Sequence, residues 1–419
     1  MRVVDEQTSI TGQMDTRTTT AITGMRQLWA GQALAHRLLG VGLAWVMLGM
    51  LVMPAGISLN PSRAFQLSLL LLLYLPALWV IGTHGRLIRQ QLWPQWSFRV
   101  FLLLLGWALL SLGWAGLKRP AEEVGRVLSA GLFALGWFVW AAPDGRRGLL
   151  LLRCVGIGMA LCALAFGMPF LLHYHAGDRI DGEGVVANAN YAAAAMGVAC
   201  VWMVQLALPS RGWNVARWLA LLPLLGFVAM SDTRSVWLGL AGCLVLTPLW
   251  NRRPRARVLA LLTALGVLAL VVLLPDPLGA RGLSLRPQIF AHALGMIRAH
   301  PWLGLGQGAP FRFTVGGEQF THSHNLFTQA AIELGLPGML LALCLWLLIG
   351  GQGWRWRSHA QGRLLLSLWV FASVVLQFDM PQLLDSPRPG WLLIWLPFAL
   401  ALGLGARDYR DPAQPLPLH

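Results

Sequence analysis

The chain has 419 residues, of which 56% are hydrophobic and only 12% charged, with a mean hydropathy of +0.60. A water-soluble core cannot hold so much apolar surface when runs long enough to cross a bilayer follow one another almost without pause, so the composition excludes a soluble enzyme and predicts a polytopic membrane protein. The formal net charge of +15 would suggest nucleic acid in a soluble domain. Here the arginines lie mainly in short segments between apolar runs, where retention of positive loops on the cytoplasmic side accounts for them, and no nucleic-acid partner is expected.

In chain order, residues 1–36 are polar at first and threonine-rich, with Thr16 and Thr18 to Thr20 and no early apolar core. They read as a cytoplasmic tail and not as a cleaved signal. Twelve apolar stretches follow near 38–57, 64–82, 98–117, 124–142, 149–172, 191–209, 218–230, 235–250, 258–274, 326–349, 364–380 and 391–405. They predict about twelve membrane-spanning helices in an all-α transmembrane domain over 37–405, with 406–419 as a second cytoplasmic tail.

Charge sets the orientation. With the N-terminus inside, fifteen arginines (86, 89, 146, 147, 211, 217, 252, 253, 255, 257, 355, 357, 363, 407 and 410) lie on the cytoplasmic side. The short outer segments hold six basic residues, Arg63, Lys118, Arg119, Arg179, Arg234 and Arg388. This asymmetry places both termini inside. Cys154, Cys162, Cys200, Cys243 and Cys344 all fall within apolar stretches without a CxxC pair, and read as small core residues, neither disulfides nor metal ligands.

Two outer segments are longer than turns: 173–190 and the loop 275–325. In the loop, Arg286-Pro287 opens a stretch whose Phe290, Ala293, Leu294 and Ile297 recur at helical spacing, predicting a short helix at the membrane surface that ends at His300-Pro301. Gly304, Gly306 and Gly308 superficially resemble a dinucleotide fingerprint, but no strand precedes them, and a flexible, close-packing loop over a substrate is expected instead.

The residues able to carry chemistry gather on that side. If a span begins after Asn325, His324 stands at its N-terminus, where the helix dipole disfavours the imidazolium. A neutral imidazole suits a general base, although a histidine there can equally cap the helix or bond a loop carbonyl. His322 forms a His-x-His pair with it, but no third ligand at standard spacing supports a metal. Asn325 and Gln329 share a helical face with Glu333 one turn further on. A carboxylate inside a span is a functional candidate by default, or else a group bonded to a loop to hold the helix. Gly335 and Gly338 would let a neighbouring helix approach, with Pro337 loosening the turn between them.

Arg234, in the polar notch Ser231-Asp232-Thr233-Arg234-Ser235, and Arg286, at the start of the surface helix, form a second candidate group. Two guanidiniums beside a helix N-terminus can cradle a pyrophosphate. Pairing of Arg234 with Asp232 or a lipid phosphate, and plain solvation of Arg286, are the alternatives. Asp181 and Glu183 could hold a cation or a sugar but fit a solvated turn as well; Asn188 and Asn190 can cap the sixth span.

These residues resemble the bacterial O-antigen ligase and polymerase superfamily of membrane glycosyltransferases, and the O-antigen ligases most. The resemblance rests on His324-Asn325, the nine residues 326–334, then Gly335 and Gly338, and extends to the Arg234 notch, the segment from Arg286 through His300-Pro301 to Gly306, and the Arg179, Gly182 and Asn190 segment. It implies a type-C glycosyltransferase-like helical fold in the bacterial inner membrane with its active site on the periplasmic face. The implied reaction moves a glycan from an undecaprenyl pyrophosphate carrier to a sugar hydroxyl of lipid A-core in lipopolysaccharide assembly, without metal or cofactor. His324 would activate the acceptor and Arg234 and Arg286 would hold the pyrophosphate. His322, Arg179, Asn190 and Gln329 would contact substrate, and Glu333, Asn325, Gly335 and Gly338 would support the site. An O-antigen polymerase or protein O-oligosaccharyltransferase shares these features. A transporter would carry its charges at mid-membrane, whereas here they gather at one face.

Overall fold

The computed structural model describes residues 33–53, 61–207, 210–273 and 285–408. Most of the predicted N-terminal tail, the 409–419 part of the C-terminal tail and the first part of the 275–325 loop lie outside them. The regular secondary structure of the described residues is helical except for one small hairpin. Its helices are α1 (Ala33–Val52) and α2 (Arg63–Thr83), then α3 (Gly85–Leu92), α4 (Trp96–Ser111), α5 (Pro120–Ala141), α6 (Gly145–Leu172), α7 (Ala189–Gln205) and α8 (Arg211–Met230). They continue with α9 (Arg234–Leu246), α10 (Pro254–Leu273), α11 (Arg286–Ala299), α12 (Leu326–Arg355), α13 (Ala360–Val375), α14 (Gly390–Leu393) and α15 (Trp395–Asp408).

Among the described residues, helix occupies most of each of the twelve predicted apolar stretches. By length and composition, seven helical segments among the described residues are long and apolar enough to cross a membrane: α1, α2, α5, α6, α8, α12 and the segment Gly390–Asp408. The protein is therefore an all-α polytopic membrane protein. Leu161, Leu164, Met168 and Leu171 form one exposed apolar stripe on α6, and Leu261, Leu262, Leu265 and Leu268 another on α10. Such stripes suit a lipid surface. Inside, Trp137, Trp202, Phe371, Trp395 and Phe398 are fully buried where α5, α7, α13 and α15 meet.

Short polar side chains start several helices. Asp144, Asn188, Ser210 and Asn325 each accept hydrogen bonds from main-chain N–H groups in the first turn of α6, α7, α8 and α12. These donors would otherwise lack partners. Arg286 and Pro287 open α11, with Pro287 in its first turn, as predicted from the sequence. Its inward face is Ile289 and Ala293, while Phe290 is 47% exposed, so the helix is turned slightly from the expected face.

α12 determines the shape of the functional end. Gly335 interrupts it with φ 68° and ψ −178°, which only glycine adopts at little cost. A Cβ there would lie 2.2 Å from the Trp302 carbonyl oxygen. The break frees main-chain groups inside an apolar layer, where each must find a partner. The 301–306 loop supplies them. Leu305 N–H donates to the Ile332 carbonyl (2.8 Å), Gly306 N–H to that of Glu333 (2.7 Å), and Leu336 N–H to that of Pro301 (2.8 Å). The Trp107 indole N–H of α4 donates to the Leu334 carbonyl at 2.8 Å.

This geometry corrects two expectations. The loop with Gly304, Gly306 and Gly308 is close-packed, as expected, but main-chain bonds hold it as a wedge against α12, α4 and α5 where a flexible loop was expected; a Cβ on Gly308 would meet the Glu123 carboxylate at 2.5 Å. Nor does the Gly335 and Gly338 pair admit a neighbouring helix. Gly335 admits the loop, and a Cβ on Gly338 would meet Leu334 of its own helix.

Candidate active site

The C-terminal ends of α4, α8 and α13 and the N-terminal ends of α5, α7, α9, α11 and α12 converge at one end of the bundle, where the polar residues collect. The opposite end carries an arginine-rich rim, with Arg147 3.7 Å from Asp144 and Arg355 3.4 Å from Asp408.

Asp379, in the loop after α13, joins the separate segments. It is 5% exposed. Its Oδ2 accepts from the Ser235 hydroxyl of α9 at 2.7 Å and its Oδ1 from the Asn190 amide of α7 at 3.0 Å. The Arg286 guanidinium of α11 lies 3.7 Å from Oδ1. Burial raises the Asp379 carboxyl above the usual carboxylate range, opposed by Ser235, Arg286, Asn190 and Arg179. Three elements distant in sequence are thus tied to one carboxylate.

Arg179 fastens the α8–α9 notch. Its Nε donates to the Ser231 carbonyl at 2.8 Å and a terminal nitrogen to Asn190 Oδ1 at 3.1 Å, with longer contacts to the Asp232 carbonyl and the Thr233 hydroxyl. Arg234 follows at the first position of α9, half-buried. Beside Arg179 and Arg234 is a cavity of about 530 Å³. Asp178, Arg179, Asp232 and Arg234 supply its polar lining, and Phe170, Leu171, Met230 and Trp237 its apolar lining. One hollow therefore offers guanidinium and hydrocarbon surfaces together.

His324 immediately precedes Asn325, the N-cap of α12. Burial, His322 beside it and the Arg286 charge bring its pKa down to about 4, while a hydrogen bond to the Phe378 main chain acts in the other direction. The neutral imidazole expected from the helix position is favoured, but burial is the leading cause. Arg286 also donates to the Phe378 carbonyl at 3.4 Å and stands 5.5 Å from the Phe378 ring. The Phe378-Asp379 dipeptide thus touches both the histidine and the arginine. Asp232, His324 and Met380 are the non-glycine residues with positive φ among the described residues, at 46°, 55° and 58°. All three flank this site, where such strain is held by surrounding contacts.

His322 packs its ring 4.1 Å from that of His324, and its Nδ1 is buried without a hydrogen-bond partner among the described residues. Burial lowers its pKa as well. Gln329, expected among the substrate contacts, is 3% exposed. Its amide oxygen accepts from Ser323 N–H at 2.9 Å and its nitrogen donates to Glu333 at 2.6 Å. Glu333 bonds the Gly308 main chain in addition. This chain from Ser323 through Gln329 and Glu333 connects the histidine loop to the glycine wedge. Asn325 caps α12 and donates to Gln377 Oε1 at 2.7 Å. Asp181 and Glu183 are exposed residues of the segment leading to α7.

Sequence reasoning missed Asp379 and Ser235. Asp379 lies within the apolar stretch read as 364–380, and a carboxylate in such a stretch was a signal equal to that of Glu333. Ser235 gave no comparable signal.

This fold and site define a helical membrane protein with an arginine- and histidine-lined centre at one end of its bundle. Residues 218–343 match the family model described as O-antigen ligase. Over 347 residues, 80% of this chain and 84% of the relative, the sequence is 29% identical to a protein named O-antigen ligase from Pseudomonas aeruginosa. Both matches are to O-antigen ligases, and it is this family that the chain is similar to. The family match contains Arg234, Arg286, His324, Glu333, Gly335 and Gly338; Arg179, Asn190 and Asp379 lie outside it.

Proposed function

We propose that this protein transfers a glycan from an undecaprenyl pyrophosphate carrier to a sugar hydroxyl of lipid A-core, at the periplasmic face of the inner membrane. The observation that carries this reading is the cavity in which Arg179 and Arg234 meet Phe170, Leu171 and Trp237. A polyprenyl pyrophosphate has the same division between anionic head and hydrocarbon tail. The reading takes all twelve apolar helices as spans of a type-C glycosyltransferase-like fold, with both terminal tails cytoplasmic.

In the reaction, His324 takes the proton of the acceptor hydroxyl as its oxygen forms a bond to the anomeric carbon. The bond from that carbon to the pyrophosphate oxygen breaks in the same step, inverting the anomeric centre. Arg234 and Arg286 receive the charge developing on the departing polyprenyl pyrophosphate. Asp379 and Asn190 hold Arg286 and Arg179 in place; Gln329 and Glu333 hold the loop bearing His324. Because the donor is already activated, positioning, proton removal and charge stabilisation suffice.

The test is reconstitution of the purified protein in lipid nanodiscs with a polyprenyl pyrophosphate-linked glycan and lipid A-core. Glycan-bearing lipid A-core is the expected product. Lengthening of the carrier-linked glycan alone would identify a polymerase and overturn the ligase reading.

A further inference from the structure

Beyond the base and the arginines, the 313–320 hairpin carries a row of aromatic rings that the reaction above does not use. β1 (Phe313–Val315) pairs with β2 (Glu318–Phe320), and Phe313 lies directly opposite Phe320. The Phe320 ring stands 5.9 Å from that of His324, edge to face. From Phe320 the row continues to Phe313 at 5.8 Å, and from Phe313 to Phe311 at 6.2 Å and to His292 of α11 at 5.7 Å. These last three pairs lie within 26°, 9° and 18° of parallel. Centroid separations near 6 Å exceed face-to-face contact, so the rings are offset and each leaves part of its face uncovered. Phe311, Phe313 and Phe320 are half-buried and His292 is exposed.

A pyranose presents one apolar C–H face and a rim of hydroxyls, and a flat ring beside water covers that face while leaving the rim solvated. The row starts at His324, whereas Arg286 is joined to Asp379 and Arg234 lines the cavity beside Arg179. In an in-line displacement the incoming oxygen lies opposite the leaving group, so the base marks the acceptor's side. We infer that Phe320, Phe313 and Phe311 form a stacking platform for the saccharide of the acceptor, seating the sugars next to the one whose hydroxyl His324 deprotonates. The inference rests on the proposed transfer reaction for its choice of ligand. Phe313 and Phe320 also stabilise their hairpin as a cross-strand pair, but Phe311 precedes β1 and belongs to no such pair.

The experiment uses the full chain in nanodiscs. Binding of a deacylated core oligosaccharide is measured by calorimetry, and the KM for lipid A-core and for the lipid-linked donor is measured separately. Phe311→Ala should weaken oligosaccharide binding and raise the acceptor KM by roughly 3- to 10-fold, the range of one lost aromatic stack. Phe311→Trp should restore both, and the donor KM should not follow. Unchanged oligosaccharide binding, or a rise confined to the donor KM, would overturn the platform. Binding is read without turnover, so an inactive His324→Ala protein that still binds the oligosaccharide through Phe311 separates the platform from the catalytic reading.

Discussion

At the scale of single residues, the proposed reaction depends on keeping one imidazole neutral beside fixed positive charge. His324 has a pKa of about 4 against an ordinary value of 6.5. A base must be unprotonated, so kcat/KM should hold as pH falls through 6.5 and decline only as it approaches 4. In Arg286→Gln one positive neighbour is lost, and the acid limb of the profile should move upward. A wild-type acid limb at 6.5, or no movement in the variant, would contradict this assignment. Asp379 acts through others, since Ser235, Asn190 and Arg286 all meet on it. Asp379→Asn removes the charge that fixes Arg286, and a misplacement of about 1 Å at a reacting centre costs roughly 100-fold. Steady-state kinetics should therefore register a loss of that order in kcat/KM. Asp379→Glu should recover less than half of it, because the longer side chain cannot meet all three partners at once.

At the scale of elements, the broken helix α12 and its wedge form one unit. The 301–306 segment satisfies the groups that Gly335 frees, and Trp107 satisfies the Leu334 carbonyl. Gly335→Ala places a methyl group against the Trp302 carbonyl and holds alanine at positive φ. A cost of about 2 kcal/mol or more is expected, seen as a lower melting temperature in detergent together with lost transfer. Trp107→Phe should cost about 1 kcal/mol, the value of one hydrogen bond. If Gly335→Ala melts with the wild type, the wedge does not hold the break. This unit was only partly legible in the sequence. His324, Asn325 and Gly335 were visible because their residue types at a helix start are distinctive. The pairing of 301–306 with 332–336 runs through main-chain atoms, which leave no side-chain pattern. Asp379 was hidden because one carboxylate barely alters the mean hydropathy of its stretch.

At the scale of the whole molecule, lipid makes the architecture readable from composition. About 20 apolar residues cross the hydrocarbon layer as a helix, so the seven long helices stand out in the sequence, while the short α3 and the break between α14 and α15 do not. What composition leaves open is which ends meet, and that decides the site. The polar centre and the arginine-rich rim occupy opposite ends of the bundle. Single cysteines replacing Arg312, near the centre, and Arg357, on the rim, should therefore differ in labelling by a membrane-impermeant maleimide added from the periplasmic side. Cysteine at 312 should react and cysteine at 357 should not; reaction of both, or only at 357, would reverse or refute the orientation. The central claim, that this end transfers a glycan with His324 as its base, is tested most directly by the transfer rate of His324→Ala against wild type in nanodiscs holding both lipid substrates. A fall of roughly 100-fold or more is expected for removal of a general base, and transfer at the wild-type rate would contradict the mechanism.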